Sequence, residues 1–191
     1  MKTSAAGAFR PNKPLLGLML LCLAGMFVWS FVYRAEHPAL VASVEMRGGD
    51  PHGGEGDPMQ AVMAAMSRLQ ANPEDVDAME EAAGAFAAAE MWDKALAVLE
   101  KAAVKAPDEK HILNLHGVTL FRLERPAEAA KKFERLLALE PGNFQGQFNL
   151  AAVYKYGLED MAKARPLFEA VLANPMADMQ TKRQAQQELT P

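Results

Sequence analysis

The stretch that decides the fold reads VDAMEEAAGAFAAAEMWDKALAVLEKAAVKAPDE at residues 76–109, KHILNLHGVTLFRLERPAEAAKKFERLLALEPGN at 110–143 and FQGQFNLAAVYKYGLEDMAKARPLFEAVLANP at 144–175. Prolines stand at 73, 107, 141 and 175, each 34 residues after the last. Between them, residues of one size return to one place. Ala83, Gly117 and Ala151 share a small position, and Phe86, Leu120 and Tyr154 share a large one three residues on. Ala95 and Ala129 match each other, and Leu99, Phe133 and Phe168 fill a further large position. A period of about 34 residues with two helix-sized segments indicates stacked helical hairpins, because one hairpin alone cannot bury its apolar face. The spacing predicts helices near 76–89, 92–105, 110–123, 126–139, 144–156 and 160–172. Small residues are needed where paired helices nearly touch, and large ones fill the gaps between layers. All these residues are expected in the core.

The pattern resembles the tetratricopeptide repeat. Ala83, Gly117 and Ala151 match that family's eighth position, and Phe86, Leu120 and Tyr154 its eleventh. Ala95 and Ala129 match its twentieth, and Pro107, Pro141 and Pro175 its thirty-second. The resemblance covers about residues 59–175 and implies an all-α helical-hairpin solenoid. Two departures stand out. Glu90 and Glu124 replace the glycine usual between the two helices of a unit. In the third unit the turn YGLED is one residue longer, which pushes Ala164 and Phe168 out of phase until Pro175 restores it.

Working outward, Val62, Met66 and Leu69 recur at helical spacing, so Met59–Gln70 reads as a cap helix that Asn72-Pro73 ends. Asp178–Leu189 reads as a polar terminal helix with its outer side to water. Residues 15–33, LLGLMLLCLAGMFVWSFVY, carry no charge, and Lys2, Arg10 and Lys13 precede them. Nineteen such residues are close to the ~20 needed to cross a bilayer. The basic flank predicts that the N-terminus stays in the cytoplasm. A cleavable signal is the rival, but its apolar region would be shorter and end at small residues, whereas this one ends with Trp29, Phe31 and Tyr33.

The expected organisation is therefore a basic tail at 1–14, a transmembrane helix at 15–33, a flexible Gly- and Pro-rich linker at 34–58 and a tetratricopeptide repeat domain at 59–191. That domain comprises the cap helix, repeats near 76–109, 110–143 and 144–177, and the terminal helix. In a bacterial host this makes a single-pass inner-membrane protein with its C-terminal domain in the periplasm.

Composition narrows the function. A net charge of -4 gives no general attraction to nucleic acid. A single cysteine, Cys22, excludes an intramolecular disulfide and a cysteine metal site. His111 and His116 lie five apart, roughly 140° around a helix, so they do not pair on a metal. No catalytic, cofactor-binding or metal-binding residue is expected.

A solenoid of this kind binds on the concave face lined by the first helix of each unit. Position assigns His111, Asn114, Val118, Phe121 and Arg122 to that groove, followed by Gln145, Phe148, Asn149, Lys155 and Tyr156. Asp77, Glu80 and Glu81 make its first part acidic. Val118, Phe121 and Phe148 supply apolar content, which suits an amphipathic helix laid along the groove. The expected function is a membrane-anchored adaptor for a protein or peptide. Leu69, Asn72, Pro73 and Asp75 also resemble a motif that opens the repeat region of cytochrome c biogenesis proteins. That resemblance implies a partner such as apocytochrome c or a haem-lyase subunit. A cell-envelope or secretion assembly factor is the further alternative.

Overall fold

The computed structural model describes residues 58–190. The expected tail, membrane span and linker at 1–57 lie outside the described residues. Among the described residues eight α-helices follow one another: α1 Pro58–Ala71, α2 Val76–Ala88, α3 Trp92–Lys105, α4 Lys110–Arg122, α5 Pro126–Leu139, α6 Phe144–Ala152, α7 Met161–Ala173 and α8 Met179–Leu189. Each packs on the next, and α2 also touches α4. Among the described residues no helix is long and apolar enough to cross a membrane.

The helix starts follow from local chemistry. Asp75 accepts from the Asp77 amide at 3.1 Å, and Asn143 accepts from Gly146 at 2.7 Å. Asp178 accepts from Gln180 and Thr181 at 2.9 and 2.8 Å. Each bond satisfies an amide that the first helical turn leaves unpaired. Pro126 opens α5, where its missing N–H costs nothing.

The ends of α2 and α4 explain the glutamates that replace glycine. Glu90 and Glu124 have φ of 56° and 57°, in the left-handed region. Met91 N donates to Phe86 O at 2.8 Å and Glu90 N to Ala87 O at 3.0 Å. Arg125 N and Glu124 N repeat the pattern onto Leu120 O and Phe121 O, at 2.9 and 3.0 Å. These paired bonds satisfy the last carbonyls of each helix, and they require a left-handed residue at the turn. The turn geometry is therefore kept without glycine.

The third unit differs in its backbone. After Ala152 the chain widens into a π-helical turn, Val153–Gly157. Leu158 N donates to Val153 O at 3.0 Å, closing that turn. The left-handed residue is now Glu159, with φ 53°. It comes 35 residues after Glu124, where Glu124 follows Glu90 by 34. The extra residue is absorbed as π-helix, which lets α6 keep its face toward the core. α7 then has 13 residues where α3 and α5 have 14, and the register is restored.

Packing depends on the small positions. A Cβ built on Gly117 would lie 2.6–2.8 Å from the ring of Phe133. Helices α4 and α5 thus approach as closely as their backbones permit. Phe133, Phe148, Phe168, Leu99 and Leu136 are at most 1% exposed. The buried apolar residues form two clusters. One joins α1, α2 and α3 to Ile112 and Leu115; the other runs from Leu113, Val118 and Leu120 through to α8.

Candidate protein-binding groove

The first helices of successive units form one continuous row, α2, α4, α6 and α8. Direct packing joins α2 to α4. Asn149 Nδ2 of α6 donates to Asn114 Oδ1 of α4 at 3.2 Å. Lys155, in the π-helical turn after α6, donates to Glu188 of α8. Helix α8 thus occupies the place of a fourth first helix.

The row exposes less than its sequence suggested. An inner helix is flanked by the helices before and after it and by its own hairpin partner. From Ile112 to Leu120, every residue of α4 is buried except Asn114. In α6 and its continuation, Phe148 to Tyr154 are all buried.

Two apolar groove assignments therefore need correction. Val118 is 2% exposed and belongs to the core that includes Phe133. Phe148 is 1% exposed and meets the edge of Phe168, with ring centroids 5.5 Å apart. Both side chains turn inward, so neither is offered to a partner. Asn149 is also fully buried. Phe121 is half-buried, and the close approach of Gly157 leaves only 3.0 Å between a Cβ there and the Phe121 ring.

The open positions are polar. His111 is exposed at the start of α4. Arg122 is exposed, with its guanidinium 5.3 Å from the centre of the Trp92 ring. Gln145 and Asn114 are half-buried. Asp77 is exposed on α2; Glu80 and Glu81 are half-buried, and Glu81 pairs with Arg68 of α1. The row thus carries carboxylates on α2 and an exposed cation, Arg122, at the end of α4.

Lys155 and Tyr156 are engaged inside the molecule. Lys155 Nζ lies 2.8 Å from both the Glu188 carboxylate and its carbonyl oxygen. Tyr156 donates its hydroxyl to the same carboxylate. Burial, then that bond, pushes the Tyr156 phenol well above its usual range. The sequence signal for Glu188 was the period itself, since Asp178 stands 34 residues after Phe144. Trp92 was missed as the partner of Arg122 because it lies on the second helix of the previous unit.

Residues 114–178 match the tetratricopeptide repeat family. Among solved structures, a crystal structure of MamA is 18% identical, with a TM-score of 0.61 over 70% of this chain and 79% of that one. MamA from Desulfovibrio magneticus RS-1 is 20% identical, with a TM-score of 0.58 and 68% of each chain covered. The described residues are a tetratricopeptide-like repeat scaffold. The human protein O-mannosyl-transferase TMTC3 is 39% identical over 84 residues, which is 43% of this chain and 9% of that protein. The chain spans less than a tenth of that relative's length. Among the described residues no group of three His, Cys, Asp or Glu side chains could hold a metal ion.

Proposed function

We propose that the chain is a membrane-anchored adaptor that holds a segment of a partner protein along the α2–α4 part of the inner row. The observation that carries this reading is the set of open polar side chains there. Asp77, His111 and Arg122 are exposed, while the apolar residues beside them are sealed in the core. Recognition is then mainly polar, with apolar contact limited to half-buried Phe121 and the Trp92 face under Arg122. Charge order along the row sets the direction of the bound segment more than its affinity. The anchor is the uncharged stretch at 15–33, with the repeats on the periplasmic side of a bacterial inner membrane. An anchor of this kind raises the local concentration of a membrane-associated partner.

A second reading takes the partner to be apocytochrome c and the setting to be haem attachment. It rests on the motif at Leu69, Asn72, Pro73 and Asp75. In this protein Asp75 caps α2, and its amide donates to Asn72 O at 3.2 Å, so turn chemistry already accounts for two of the four residues. The test is calorimetry of the full chain in detergent against apo- and holocytochrome c from the same cell, with Arg122→Ala alongside. Under the second reading the apo form binds more tightly and the substitution weakens it. If neither form binds, apocytochrome c is ruled out and the general adaptor reading stands.

A further inference from the structure

On the face of the stack away from the groove, a buried histidine lies where the two core clusters meet. His116 of α4 is only 4% exposed, and its Nδ1 is buried with no hydrogen-bond partner. It lines an open cavity of about 300 Å³ between α3 and α5, beside Val104 and Leu120. A second cavity of about 330 Å³ continues the gap past Pro107 and Leu113. The boundary between the clusters runs along α4, whose Ile112 and Leu115 belong to the first, and both clefts open beside it.

We propose that this junction is an acid-operated joint, in which protonation of His116 separates the α1–α3 layer from the rest of the stack. The groups that face the histidine favour its neutral form. Lys132 and Arg125 bring positive charge from α5 and the turn before it. Glu128 opposes them, but Arg125 holds it in a two-bond pair at 2.7 Å. Helix α3 contributes Glu100 to the cavity, and α2 contributes no charged group there. Burial, then Lys132 and Arg125, lowers the His116 pKa from 6.5 to about 4. The sign follows. The closed form carries a neutral histidine and the open form a normal one. Closure is fully favoured above about pH 6.5 and weakens as the pH falls toward 4. Opening also moves α2 away from α4 and so divides the groove; that consequence rests on the binding reading above, whereas the joint does not.

Hydrogen exchange of the full chain at pH 7 and 4.5, corrected for intrinsic rates, tests the joint without any partner. Protection in α1–α3 is expected to fall between about 10- and 100-fold more than in α6–α8. His116→Leu removes the difference. Lys132→Gln, which leaves the core intact, reduces it by raising the closed-state pKa. Loss spread evenly over all the helices, no local loss, or a local loss of unchanged size in both variants overturns the proposal.

Discussion

Helices α4 and α6 hold the same place in successive units, yet they present different surfaces. The last turn of α4 leaves Arg122 in solvent, stacked on Trp92. The same place after α6 is π-helical, and its Lys155 and Tyr156 are bound to Glu188. One extra residue and a neighbouring helix thus turn an exposed position into an engaged one. A repeat position defines where a side chain starts, and its neighbours decide whether it stays open. The available inner row is therefore its first half, α2 and α4.

The largest expected effect tests whether α6 is core rather than groove. Phe148→Ala leaves a cavity against Phe168 and should cost about 3–5 kcal/mol of stability, read by denaturant unfolding. If stability stays at the parent level, Phe148 is a surface residue after all. Gly117→Leu comes next. A side chain there collides with the Phe133 ring, and overpacking of this kind costs about 1–3 kcal/mol. A thermal melt matching the parent would mean that α4 and α5 do not approach as described.

The sequence made the fold legible because 34-residue spacing and size matching are properties of the core, where each residue answers to its neighbours. Helices at 92–105 and 126–139 fall where periodicity predicts them. The long turn after Tyr154 was visible too, but its resolution as π-helix plus a shorter α7 was not. Several backbone solutions absorb one extra residue, and packing chooses among them. The groove was less legible. Position placed Val118 and Phe148 beside Asn114, but a helix with three packed neighbours turns most of its circumference inward. Burial of that kind depends on the whole stack, and no local pattern at residue 148 reports it.

The smallest expected effect concerns the turns. A left-handed conformation costs a side-chain-bearing residue about 1–2 kcal/mol relative to glycine, which in turn loses more freedom on folding. Glu124→Gly should therefore raise stability by only about 0.5 kcal/mol, and Glu124→Val should lower it by about 1 kcal/mol. Equal melting temperatures for the two variants would show that the turn relaxes away from φ 57°.

The proposed partner lies along the open half of the inner row. A photo-reactive amino acid placed in the full-length chain in intact cells tests it directly. The positions to compare are His111 and Arg122 on the inner row, Tyr156 beside Glu188, and Lys101 and Lys131 on the second helices. One discrete protein adduct is expected from His111 and Arg122, little from Tyr156 and none from Lys101 or Lys131. Adducts only from Lys101 and Lys131, or equally from every position, would contradict it.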